Sequence, residues 1–137
     1  MSTNKAFWND LARDLQDPEF LREYIVESMR IATVDAIVNE LDEAREAAGL
    51  SKADLARAIQ VEPATIRRFF AAERPNPTLG TLAEVAAALG MRVTLEPLPS
   101  SERAKVTEPL LRGKAADASE LLTTLEQLRS AKAQVPA

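Results

Sequence analysis

Twenty residues, Ser51 to Phe70, constrain this chain more than any others: Ser-Lys-Ala-Asp-Leu-Ala-Arg-Ala-Ile-Gln-Val-Glu-Pro-Ala-Thr-Ile-Arg-Arg-Phe-Phe. Leu55, Ala56 and Ile59 recur at the intervals of one helix face, and Ile66, Phe69 and Phe70 repeat the pattern after a short gap. Gln60-Val61-Glu62 is long enough only for a turn. Ala56 is small where two helices would cross, and Val61 is placed to fill the corner. Ser51 with Asp54 three residues on reads as a capping box that starts the first helix at Lys52. Pro63 suits the first turn of the second.

Two short helices around such a turn make a helix-turn-helix, whose second helix is shaped to lie in a DNA major groove. The net charge of -4 argues against that use until it is divided along the chain. Residues 1–50 hold five Lys/Arg against eleven Asp/Glu, whereas residues 51–74 hold five against three. The acidity belongs to the first third, and the reading head is locally basic. A patch this modest implies few phosphate contacts per subunit, hence binding that needs a dimer and weakens with salt.

The 137 residues suffice for one domain with tails. Cysteine and histidine are both absent. Their absence removes disulfides, thiolate nucleophiles and the usual nucleophile-base pairs and zinc ligand sets. No enzyme activity and no cofactor are expected. No signal-peptide pattern and no apolar run of membrane-spanning length occur, so the expected location is cytoplasmic, without membrane contact.

Before the motif, Phe7, Trp8, Leu11 and Leu15 predict a short amphipathic helix. Asp17-Pro18 predicts a second, with Phe20, Leu21, Tyr24 and Ile25 on its apolar face. Two readings of these arm residues stand open: packing against the following helices, or docking a partner protein. Val34, Ile37, Val38, Leu41, Ala44 and Ala48 continue the helical period to a left-handed stop at Gly49. Thr33 and Asp35 allow a fresh start there, and nothing forbids one continuous rod.

After Phe70 a loop with two prolines leads to Thr78, which caps a helix burying Leu79, Leu82, Val85, Ala86 and Leu89 and closed by Gly90. Met91 to Glu96 alternates apolar with polar, which predicts a strand. A lone strand needs a partner, and the economical one is the same strand of a second subunit, through Met91, Val93 and Leu95. Pro97 to Ala116, with Pro97, Pro99, Pro109 and Gly113, reads as linker or loose coil. Asp117 and Glu120 cap a final helix with a stripe of Leu121, Leu122, Leu125 and Leu128. That helix reads as a partly ordered tail, as packing on its own dimer, or as a partner-binding element.

Leu55-Ala56-x-x-Ile59, the turn, Ile66, and Asn76-Pro77-Thr78-x-x-Thr81-Leu82-x-x-Val85-x-x-Ala88-Leu89-Gly90 together resemble the lambda-repressor-like (XRE) helix-turn-helix family. With Asp17-Pro18 before a Tyr-bearing helix, they are similar more narrowly to HigA-type antidote proteins. The resemblance covers roughly residues 17–98, with no counterpart for the tail, and with the helical periods elsewhere the chain reads as mainly all-α. Residues 1–33 form an N-terminal helical arm, 34–98 a five-helix DNA-binding domain with one short strand for a dimer, and 99–137 a linker and short helix. Many relatives carry Gly at the turn position occupied by Gln60, since that residue adopts a left-handed conformation; Gln there implies roughly a kcal/mol of strain.

Carried residue by residue, the resemblance puts the reading positions at Pro63, Ala64, Thr65, Arg67 and Arg68. Arg67 and Arg68 are expected opposite Ile66 and Phe70. Arg68 is assigned to a base and Arg67 to base or phosphate; an arginine can take guanine O6 and N7 together. Lys52, Thr65 and Arg74 or Asn76 are assigned to phosphates. The implied function is a homodimeric repressor of its own operon, an antitoxin neutralising a basic ribonuclease of the RelE or HigB kind through the acidic arm, with Phe7, Trp8, Phe20 and Tyr24 as contacts. Two alternatives remain: a phage-type or stand-alone regulator, and an adaptor that has lost DNA binding.

Overall fold

A computed structural model describes residues 2–71 and 76–130 of the chain. These residues form seven helices and no strand: α1 (Ser2–Asp14), α2 (Pro18–Ala47), α3 (Lys52–Ile59), α4 (Pro63–Ala71), α5 (Leu79–Ala88), α6 (Ser100–Arg112) and α7 (Ala118–Ser130). They divide into two units. Thr33–Leu95 is one, and the described residues before and after it make up the other.

The helix-turn-helix lies in the Thr33–Leu95 unit, with the second half of α2, α3, α4 and α5. Its core is Val38 and Leu41 of α2, Leu55 and Ala56 of α3, Ile66 and Phe69 of α4, and Leu82, Val85 and Ala86 of α5. That makes four helical segments among the described residues where five were expected. The open choice at Thr33 resolves as one uninterrupted helix, α2. Its first half serves one core through Leu21 and Ile25 and its second half the other through Val38 and Leu41. Residues 91–99 run without helix, strand, turn or bend. The expected strand is not formed there, because a single chain supplies no ladder partner.

Three helices of this unit end in the same way. At α2, Leu50 N–H donates to Arg45 O and Gly49 N–H to Glu46 O; at α5, Met91 donates to Ala86 O and Gly90 to Ala87 O. At α3, Val61 N–H donates to Ala56 O (3.0 Å) and Gln60 N–H to Arg57 O (3.3 Å). This paired pattern places a left-handed residue just past each helix. Gly49 (φ 70°) and Gly90 (φ 74°) supply two of the three, and Gln60 (φ 59°) is the only non-glycine residue with positive φ among the described residues.

The second unit joins the two ends of the chain. Leu11 and Leu15 of and just after α1, Leu21 and Ile25 of α2, Val106 of α6, and Leu121, Leu122 and Leu125 of α7 form its core. Residues 100–112 are therefore helix rather than the expected linker. Val106, Pro109 and Leu110 share a face at helical spacing, with Val106 and Pro109 buried. Burial of that face outweighs the backbone bond that Pro109 removes, roughly 3 kcal/mol in a helix interior. Asp117 caps α7 by accepting from the N–H groups of Ser119 (3.0 Å) and Glu120 (3.2 Å). The α7 leucines pack within their own chain, an arrangement absent from the three readings of the sequence. Arg22 of α2 reaches the far end of α6, donating from Nε to Leu110 O (3.0 Å) and from Nη2 to Leu111 O (3.2 Å).

Candidate nucleic-acid interface

The site begins at a cap. Ser51 and Asp54 form a reciprocal capping box: Asp54 N–H donates to Ser51 Oγ (3.0 Å) and Ser51 N–H to Asp54 Oδ2 (2.8 Å). Hydrogen bonds from Ser51 backbone and side chain hold the Asp54 carboxyl below the usual carboxylate range, and paired Arg57 assists. With α3 started there, Lys52 is its first residue and stands half-buried.

The left-handed Gln60 then turns the chain sharply. Val61 tucks against the core, as its place in the sequence implied. Thr65 N–H donates to Glu62 O (2.9 Å) and starts α4. Successive residues of a helix are rotated by about 100°, so Pro63, Ala64, Arg67, Arg68 and Ala71 fall within an arc of roughly 140°. Pro63, Arg67, Arg68 and Ala71 are exposed and Ala64 is half-buried, while Ile66 and Phe69 are buried on the opposite side. Thr65 is half-buried on one flank.

Phe70 departs from the expectation. It lies on the other flank, half-buried, with its ring edge-on to Phe69 at 4.9 Å between centroids. The guanidinium of Arg45 sits 5.7 Å above it. Arg45, 14% exposed, also pairs with Asp42 (2.9 Å) and donates from Nη1 to Leu50 O (2.8 Å). It thus fixes the end of α2 and covers one flank of α4. The sequence reading missed it, although a basic residue four positions before a helix-ending glycine is a recognisable signal.

Among the described residues, neither Arg67 nor Arg68 makes an ion pair, so both guanidinium forks are open to a ligand. Asn76 is exposed in the loop before α5, and Arg74 lies outside the described residues. A convex helix face carrying two unpaired arginines over a packed core can enter a groove and donate to base edges and phosphates. No group of three or more acidic side chains converges to hold a metal ion among the described residues. No helix there is long and apolar enough to cross a membrane.

The aromatic residues expected to meet a partner separate into two pairs. Phe20 and Tyr24, ring centroids 6.1 Å apart, pack against the core of their own unit. Phe7 (60% exposed) and Trp8 (39%) remain open, edge to face at 5.5 Å. Trp8 borders two clefts that share Leu122 and Glu126. Met91 and Val93 pack against the core of their unit, whereas Leu95 is 98% exposed.

Comparison with known proteins agrees with this geometry. No curated protein and no solved structure matches the chain. The family model described as a helix-turn-helix domain matches residues 36–98, which run from the second half of α2 through α3, α4 and α5, and the chain therefore carries a helix-turn-helix domain.

Proposed function

We propose that this chain is a DNA-binding transcriptional repressor without catalytic activity, acting as a homodimer in the cytoplasm on an operator in its own promoter. The observation that carries this reading is the solvent face of α4, where Arg67 and Arg68 stand exposed opposite buried Ile66 and Phe69. In this reading Arg68 takes a base edge and Arg67 a base or phosphate. Lys52, Thr65 and Asn76 hold the backbone, and Pro63 and Ala64 offer shape and contact to thymine methyls.

Titration of a labelled fragment from the upstream region at two salt concentrations tests it. Binding is expected to weaken steeply with salt, and Arg68→Ala to lower affinity by about 1–3 kcal/mol. Binding indifferent to both would sink the proposal.

The finer role we infer is that of an antitoxin, supported by the acid-rich first third and the open Phe7–Trp8 pair, which suit a basic partner protein such as a RelE-like ribonuclease. Co-expression with the product of a small basic reading frame beside this one checks that role. Trp8→Ala is expected to reduce neutralisation, and full protection by a chain lacking residues 1–30 would refute it. A stand-alone regulator is favoured by a different observation: Phe20 and Tyr24 are taken up by the chain's own core.

A further inference from the structure

We propose that residues 91–96 are the pairing edge of a second copy of this chain, in an antiparallel register centred on Thr94. The segment runs without turn or bend, and among the described residues no backbone hydrogen bond engages residues 92–96. Such a row of unpaired N–H and C=O groups is a template for another strand. It is bounded by Gly90 on one side and by Pro97 and Pro99 on the other, and neither proline has an N–H to extend a ladder.

The register follows from the side chains. A two-fold axis through Thr94 sets Thr94 against Thr94 of the second copy, Val93 against Leu95, and Arg92 against Glu96, each of the last two pairs occurring twice. Opposite charges meet on one face and apolar groups on the other. Neither Arg92 nor Glu96 has an ion-pair partner among the described residues. Centring on Val93 would put Arg92 against Thr94 and leave Glu96 against Gly90, with no charge matched.

The pairing also accounts for Leu95. Met91 and Val93, on the same face, pack against their own core, but Leu95 lies 98% exposed. In the proposed register it covers Val93 of the second copy, so each chain supplies the apolar cover the other lacks. The proposal deepens the repressor reading by specifying how its two heads are joined, and it is tested without DNA, so either can fail alone.

The experiment measures the mass of the full chain in solution by sedimentation, with the helix content of each variant as a folding control. The unmodified chain is expected as a dimer and Leu95→Lys as a folded monomer. Arg92→Glu and Glu96→Arg are each expected to weaken the dimer on the order of ten-fold, by placing like charges opposite one another twice, and the double exchange to restore it. The chain has no cysteine, so single introduced cysteines report register cleanly. Thr94→Cys should oxidise to a covalent dimer faster than the more exposed Leu95→Cys, because only position 94 faces itself within disulfide reach. A monomeric parent, or a dimer that survives Leu95→Lys, overturns the pairing. Failure of the double exchange to rescue, or Leu95→Cys linking at least as fast as Thr94→Cys, overturns the register.

Discussion

The two cores of this molecule are similar in size and opposite in origin. The core around Leu55 and Ile66 draws on a continuous run of chain from Val38 to Ala86, whereas the core around Leu21 and Leu121 joins residues about a hundred positions apart. The first is assembled from neighbours in sequence, so its helices, caps and turns all agree locally. The second exists only when the ends of the chain meet, and nothing in either end alone specifies the other.

Removing residues 99–137 gives the largest test of this contrast. It deletes α6 and α7 and strips Val106, Leu121, Leu122 and Leu125 from the second core. Hydrogen exchange should then show protection lost in α1 and the first half of α2 and kept in α3, α4 and α5. Unchanged protection at Leu21 and Ile25 would mean that the ends do not depend on each other.

Single truncations sharpen the same point. Ile66→Ala and Leu121→Ala each remove a buried side chain and should cost about 2–5 kcal/mol by denaturant melting. The loss of exchange protection should follow the core in which each residue sits.

A smaller effect of opposite sign is expected at Gln60. A non-glycine residue in the left-handed region costs about 1–2 kcal/mol, so Gln60→Gly should raise stability by roughly 1 kcal/mol after the added chain entropy of glycine. The same exchange at any helical position would lower it, which makes the sign of the change diagnostic.

The smallest effect belongs to Asp54. Its folded carboxyl titrates below the unfolded one, so its contribution is complete above the unfolded value of about 4 and fades as pH falls through the depressed folded value. Melting temperatures of the parent and of Asp54→Asn, compared from pH 7 down to pH 3, should converge only below about pH 4.

What could be read in the sequence follows the same division. The helix-turn-helix and its Ser51–Asp54 cap were legible because each depends on residues a few positions apart, whereas the left-handed conformation of Gln60 was implied only by the family resemblance. Ile66, Phe69 and Phe70 read together as one apolar face because all three recur at helical spacing. Phe69 lies about 60° from Ile66 on the side away from Phe70 and took the core position, leaving Phe70 for Arg45. No local signal distinguishes those two outcomes. Pro109 misled in another way: its missing N–H argued for coil, and the burial that overrides it comes from elements remote in sequence. Of the candidate DNA contacts, the exposed arc of α4 was legible, whereas the seating of its flank by Arg45 required the folded chain.

The bonds from Arg22 to the carbonyls of Leu110 and Leu111 span 88 and 89 positions in sequence. During synthesis Arg22 leaves the ribosome long before those carbonyls exist. At rates of about 5–20 residues per second, the contiguous α3–α5 core has several seconds to form before α7 emerges and the second unit can close. The nascent chain thus acquires its helix-turn-helix unit first and completes its second unit last.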